Sequence, residues 1–230
     1  MSEATNAKRR AAERAVELVE DGMRVGLGTG STAAWAVARL GERVRDERLR
    51  VRCVPTSSRT EEQARALGIP LATFAELPEL DLTIDGADEI GPGLALIKGG
   101  GGALVREKLV AAASRRFVVV ADSSKLVAAL GRFPLPVEVV PFAWEVTARR
   151  VAGVTRCAPA PRRGGDGGLY LTDNGNYVLD CPCGEIADPA ALERELKLLP
   201  GVVESGLFVN LAHLAFVATG EGVETIGRDF

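Results

Sequence analysis

Three short segments gather side chains able to do chemistry. In Val25-Gly26-Leu27-Gly28-Thr29-Gly30-Ser31-Thr32-Ala33, an apolar run ends in glycines and hydroxyls. Glycines let backbone N–H groups approach a ligand, and the amino terminus of a following helix favours an anion. Thr29, Gly30, Ser31 and Thr32 are therefore candidate phosphate contacts. The alternative is a tight turn in which Ser31 or Thr32 only caps the helix. The segment is neither Gly-x-Gly-x-x-Gly nor a Walker motif, so neither a dinucleotide nor a nucleoside triphosphate is implied.

Asp81-Leu82-Thr83-Ile84-Asp85-Gly86-Ala87-Asp88-Glu89-Ile90 places acids just beyond an apolar strand, where ligands of open α/β sheets collect. Asp85 and Asp88 bracket Gly86 and Ala87 and could converge on one small polar ligand or on a divalent metal. The metal is disfavoured because no histidine accompanies them. Solvated turn acids are the plainer alternative. The third segment, Lys98-Gly99-Gly100-Gly101-Gly102 followed by Ala103 to Lys108, spends backbone entropy on four glycines between an apparent strand and a helix. Close backbone approach to a ligand explains this better than a linker. Lys98 could stabilise a developing oxyanion, and Glu107, near the helix start, could point back toward the glycines. Taken alone, Glu107 is more simply a surface acid, as most helix glutamates are.

The elements that would hold these segments alternate. Helices are expected near 7–19, 31–40, 59–67 and 104–113, and strands near 23–27, 49–54, 80–84 and 117–121. Such alternation predicts an α/β fold, a Rossmann-like parallel sheet with helices on both faces. After Leu130 the pattern changes to short strands near 137–140, 169–171 and 177–179 with helices near 143–151 and 189–198, which predicts a smaller α+β domain. The expected division is 1–130 with 206–230 for the catalytic domain and 131–205 for the smaller one. Strands at 207–209 and 214–217 would return the chain to the first sheet, and Arg162 to Gly168 reads as an exposed hairpin loop or flexible tip.

Composition narrows the chemistry further. With 230 residues the chain can bury a large core, and a net charge of −3 offers no basic excess for nucleic acid. Met1 to Arg10 lacks the apolar core of a signal peptide, and no apolar run approaches the roughly 20 residues of a membrane span, so a cytoplasmic protein is expected. The four cysteines are irregularly placed and read as structural thiols. His213, the single histidine, lies in an apolar stretch and reads as a hydrogen-bonded core or boundary residue. Base chemistry would then fall to a carboxylate or lysine, and no metal site is expected.

Together the segments resemble ribose-5-phosphate isomerase A. The resemblance rests on Gly26 to Ala33, Asp81 to Ile90, Lys98 to Lys108, Ala121 to Lys125, Leu135 to Val139, Thr172 to Asn176 and Pro200 to Phe208, in family order across nearly the whole chain. It implies a two-domain enzyme of the non-oxidative pentose phosphate pathway, a homodimer or homotetramer, working without a cofactor on a sugar phosphate, with no nucleic-acid or membrane partner. By that match Thr29 to Thr32, Asp85 to Asp88, Lys98, Gly99, Gly100, Gly101 and Lys125 line the substrate site, and Glu107 is the proton acceptor. Gly102 departs from the alanine the family often carries there.

On this view Asp85 or Asp88 helps the sugar ring open, Glu107 moves a proton from C2 to C1, Lys98 and loop N–H groups meet the enediolate charge, and Asp85 shuttles the proton between the oxygens. Ser31 and Thr32 anchor the phosphate, with Lys8 a further candidate. Two other classes compete: a non-catalytic sugar-phosphate sensor domain, which predicts a fused helix-turn-helix that the sequence lacks, and a coenzyme A transferase subunit, which needs a second substrate.

Overall fold

The run Phe117 to Ala121 is wholly buried, as expected of a strand covered on both faces, and it lies in the interior of a six-stranded sheet. The computed structural model describes residues 3–220 and 222–227; residues 1, 2, 221 and 228–230, which the expected domains include, lie outside the described residues. In chain order the elements are α1 (Glu3–Val16), β1 (Arg24–Leu27), α2 (Ala33–Asp46), β2 (Arg52–Pro55), α3 (Ser58–Ala66), β3 (Leu82–Gly86), β4 (Glu89–Ile90), β5 (Leu96–Ile97), α4 (Leu104–Ala112) and β6 (Phe117–Asp122). They continue with β7 (Leu135–Val139), α5 (Trp144–Thr155), β8 (Ala160–Pro161), β9 (Tyr177–Cys181), α6 (Pro189–Lys197), β10 (Val202–Ser205), β11 (Leu207–Phe208), β12 (Leu214–Ala218) and β13 (Val223–Gly227).

The chain divides into two compact units. The first is Met1–Ala87 with Arg106–Leu126 and Leu211–Phe230; the second is Asp88–Val105 with Val127–Asn210. Asp88–Val105, together with 127–130 and 206–210, all expected with the larger domain, group with the second unit.

In the first unit six strands run in the order β13-β12-β6-β3-β1-β2, parallel throughout except for β13, which pairs antiparallel with β12. Alternation within β1 assigns its two faces. Val25 and Leu27 pack with α1 and α2 in one core that includes Ala11, Ala15, Val37, Leu40, Ile84, Val118 and Val120. The alanines of α1 let that helix lie close on the sheet. Gly26 points the other way, where a Cβ would fall 2.5 Å from Val110 of α4. Helices thus cover both faces. Arg24 fastens the start of β1 to the start of β3, its guanidinium donating to Asp81 at 3.0 and 2.6 Å. The Arg24 guanidinium holds the Asp81 carboxyl down at about 2. Because β2 lies on one side of β1 and β3 on the other, the chain reverses its direction of winding there. The loops after β1 and β3 open at this switch point.

The second unit contains an antiparallel sheet, β10-β7-β9-β8, and a small sheet, β11-β5-β4. Val137, Val139, Leu179 and Cys181 of the larger sheet share a core with Val151 of α5 and Leu196 of α6. Two strand expectations are corrected here. Leu207–Phe208 does not rejoin the first sheet but pairs with Leu96–Ile97, because Gly206 turns the chain against β5 and accepts the Lys98 N–H at 2.8 Å. Leu169 to Leu171 forms no strand: Leu169 makes one isolated bridge to Arg163, and Leu171 is exposed.

Candidate active site

The loop after β1 can exist only because of its glycines. Gly28 N–H donates to the Ile84 carbonyl at 3.0 Å, and a Cβ on Gly28 would lie 2.2 Å from Asp85 Oδ1. Asp85, 1% exposed at the end of β3, accepts at Oδ1 from the Thr29 N–H at 3.0 Å and the Gly86 N–H at 2.7 Å. One carboxylate therefore ties the two strand ends together. Gly30 has φ +119°, a conformation natural only to glycine, and starts the turn into α2.

The hydroxyls of this loop divide their work. Thr29 faces inward, its Oγ1 within 2.7 Å of both Thr56 Oγ1 and Ser57 Oγ and 3.0 Å from Thr60 Oγ1. Thr56 and Thr60 hydroxyls in turn donate to the Leu27 and Gly28 carbonyls at 3.0 Å each, so a buried hydroxyl cluster sets the backbone of the loop. Sequence gave no sign of it, since Thr56 to Thr60 carries no motif. Ser31 is exposed and accepts from Lys8 Nζ at 3.0 Å. Thr32 occupies the position before α2 yet makes no side-chain capping bond, so the capping alternative fails and its hydroxyl is not used on the helix. The loop thus presents a helix amino terminus, the Ser31 and Thr32 hydroxyls and an adjacent ammonium, the equipment of an anion site.

Glu107 lies in the first turn of α4 and is 4% exposed, which overturns the surface-acid alternative. Lys125 closes a single 3₁₀ turn, Ser123–Lys125, after β6; Asp122 caps that turn by accepting the Ser124 N–H at 3.0 Å. His213 is structural as expected, accepting the Phe117 N–H at its Nδ1 at 3.1 Å while its own N–H donates to the Phe117 carbonyl.

In the second unit Asp88 Oδ2 accepts the Gly100 N–H at 2.7 Å, and a Cβ on Gly100 would meet that carboxylate at 2.6 Å. Asp88 is thus engaged with the glycine loop and is not a solvated turn acid. Lys98 is 2% exposed, with its ammonium 5.5 Å from the centre of the Phe208 ring. Gly99 and Gly102 have φ of +105° and +79°. At Gly102 a Cβ would fall 2.3 Å from the Tyr170 hydroxyl. Arg162, assigned to a flexible tip, is instead turned onto the loop: its Nη1 donates to the Gly99 and Gly100 carbonyls at 2.8 and 3.1 Å.

Other matched stretches have structural roles. Glu138 is fully buried on β7 and accepts at Oε1 from Thr172 Oγ1, Asn174 Nδ2 and Asn176 Nδ2 at 3.0, 3.1 and 2.8 Å, closing the 172–176 turn. Three of the four cysteines are held as thiols: burial pushes Cys53 and Cys183 up to about 12 and raises Cys181 as well. Among the described residues no three His, Cys, Asp or Glu side chains group as metal ligands, and no helix is long and apolar enough to cross a membrane.

Residues 52–222 match the family model for ribose 5-phosphate isomerase A (phosphoriboisomerase A). The chain belongs to that family. It is 55% identical over 228 residues to ribose-5-phosphate isomerase A of Synechococcus sp. (strain JA-3-3Ab), covering 98% of this chain and 99% of the relative. Against the Gloeobacter violaceus protein of the same name the identity is 58% over 221 residues, 95% of each chain. Among solved structures, ribose 5-phosphate isomerase A of Methanocaldococcus jannaschii superposes with a TM-score of 0.92 at 43% identity, covering 96% of this chain and 98% of the other. A second D-ribose-5-phosphate isomerase, solved in complex with phospho-erythronic acid, gives 0.95 at 37% identity and covers 99% and 100%.

Proposed function

We propose that this protein interconverts D-ribose 5-phosphate and D-ribulose 5-phosphate through an enediolate. The observation that carries this reading is the burial of Glu107, a glutamate in the first turn of a helix that exposes only 4% of its surface. Burying a carboxylate costs free energy, and an acid so placed serves either the fold, as Glu138 does in the 172–176 turn, or a site, as we read Glu107 at the start of the helix that follows the glycine loop. Asp85 and Lys98, at 1% and 2%, support the reading in the same way. The relative that binds phospho-erythronic acid, a phosphorylated sugar acid, supports a sugar phosphate as ligand.

Aldose–ketose exchange moves one proton between adjacent carbons while their oxygens exchange carbonyl and hydroxyl roles. Glu107 takes the C2 proton and returns it to C1. Lys98 and N–H groups of the glycine loop meet the enediolate charge, while the Gly100 N–H holds Asp88. Asp85, fixed by two N–H donors, carries the proton between O1 and O2, and Asp85 or Asp88 assists ring opening. The Thr29 to Thr32 loop, with Lys8, receives the phosphate, and Gly86, Ala87 and Lys125 line the sugar. Binding at the phosphate then supplies energy for orienting the carbons.

The reaction needs no cofactor and belongs to the non-oxidative pentose phosphate pathway of the cytoplasm. We assign a homodimer or homotetramer, for which Phe142 and Leu198, 89% and 81% exposed on the second unit, offer apolar surface. Incubation with ribose 5-phosphate alone, in EDTA, tests the activity. Ketose should form; no ketose from the folded protein would refute the reading.

A further inference from the structure

Arg162 sits in a run rich in glycine and arginine, yet only 14% of its side chain is exposed and every arm of its guanidinium is engaged. Nε and Nη2 form a fork onto the two oxygens of Asp180 on β9. Nη1 remains, and it donates to two successive carbonyls, Gly99 at 2.8 Å and Gly100 at 3.1 Å. The guanidinium carbon also lies 5.9 Å from the centre of the Tyr170 ring, whose hydroxyl donates to the next carbonyl, Gly101, at 3.3 Å. Three consecutive carbonyls of the glycine loop are thus held on one side by two residues more than 60 positions away in sequence.

The consequence follows from peptide geometry. In a trans peptide the C=O and the following N–H point in opposite directions. Turning the Gly99 and Gly100 carbonyls onto Arg162 therefore turns the Gly100 and Gly101 N–H groups away from it. The first of these meets Asp88 Oδ2 at 2.7 Å. A charge, a peptide dipole and a charge then stand in line: guanidinium, the Gly99–Gly100 peptide, the Asp88 carboxylate. The Gly101 N–H is directed likewise, to the side opposite the guanidinium. The Gly102 N–H also reaches the Gly99 carbonyl at 2.9 Å, but this one turn bond leaves the Gly100–Gly101 peptide free to rotate, since glycines meet little steric resistance.

We propose that Arg162 is a positioning residue for the isomerase reaction: anchored by Asp180, it fixes the orientation of the Gly99–Gly101 peptides, and through them the Asp88 carboxylate and the N–H groups offered to the enediolate. This rests on the proposed function. A merely structural arginine would stabilise the unit without governing turnover, whereas this one orients the Asp88 carboxylate, through the Gly100 N–H, and the Gly101 N–H that would meet charge developing on the substrate.

The test uses Arg162→Ala in the full chain. We expect kcat to fall about 10²-fold, the loss that follows misplacement of reacting groups by an ångström, with KM within about threefold because the phosphate is held by another loop. Added guanidinium, at a concentration too low to unfold the protein, should restore at least about a tenth of the parent kcat by refilling the gap, and urea should not. Amide hydrogen exchange over residues 98–103 should speed up in the variant. A kcat within about threefold of the parent, or a loss that guanidinium does not relieve, would overturn the proposal. Should Arg162→Ala not fold, Asp180→Asn keeps the guanidinium but removes its anchor, and its kcat must fall and its loop exchange must rise; unchanged values would also overturn it. A parent that does not isomerise ribose 5-phosphate refutes the proposed function instead, and the exchange data then decide by themselves whether Arg162 orders the loop.

Discussion

Replacing Gly28 by alanine probes the junction of β1 and β3 with a single methyl group. The added Cβ would lie 2.2 Å from Asp85 Oδ1, 2.3 Å from its Cγ and 2.5 Å from its Cα. Rotation of the carboxylate can relieve the first two contacts but not the third, which is backbone. Reaching an ordinary carbon–carbon contact of about 3.5 Å requires the two strand ends to part by about 1 Å. The bonds that close this gap, from Gly28 N–H to the Ile84 carbonyl and from Thr29 N–H to Asp85, are both 3.0 Å long and would be stretched beyond use. Overpacking costs about 1–3 kcal/mol and each lost bond about 1 kcal/mol, so a loss of about 3 kcal/mol and a Tm lower by about 6–12 °C are expected. Displacing Asp85 by an ångström should also lower kcat about 10²-fold. Ketose formation measured well below the variant's Tm, beside a thermal melt, checks both. A variant with kcat within about threefold and Tm within about 2 °C of the parent would show that the loop and Asp85 do not abut as described.

The double variant Ser31→Ala with Thr32→Ala should raise KM for ribose 5-phosphate at least about tenfold, since Thr32 spends no hydroxyl bond on capping α2 and Ser31 is exposed beside the Lys8 ammonium; unchanged kinetics would place the phosphate elsewhere. Asp81 titrates at about 2 when folded, below the roughly 3.9 of an unfolded chain, so its stabilisation is complete above about pH 4 and is lost as the pH falls toward 2. With solvent screening this amounts to about 1 kcal/mol, and Asp81→Asn should flatten the acid limb of Tm against pH; an unaltered limb would contradict the pairing with Arg24.

The parts of the site that sequence revealed were those whose signal is local. A strand running into glycines and hydroxyls declares itself within ten residues, and the loop at 28–32 is where that pattern puts it. The acids were expected just beyond a strand ending near 84, but β3 runs on to Gly86, so Asp85 stands on the strand end and only Asp88 follows it. Glu107 was different: the local pattern suggested a surface residue, and only its burial, which depends on the packing around α4, distinguishes it. The contacts of Arg162 are not legible locally, because they reach carbonyls 62 and 63 residues away while its Gly-rich flanks resemble an exposed hairpin loop or flexible tip. β13 escaped notice because a short edge strand, with three of its five residues partly or fully charged, polar or glycine and none buried, carries little apolar pattern. At β11 the apolar run was recognised but its partner was not, since pairing is set by the turn at Gly206.

The central claim is that Glu107 moves the carbon proton. Purified Glu107→Gln, shown by circular dichroism to be folded, should be compared with the parent in deuterated water for both ketose formation and exchange of the C2 proton of ribose 5-phosphate. The amide keeps the size of the side chain but cannot accept the proton, so both rates should fall together by about 10²–10⁴-fold with KM little changed. If both stay within a few-fold of the parent, Glu107 is not the base, and the proposed mechanism is wrong at its first step.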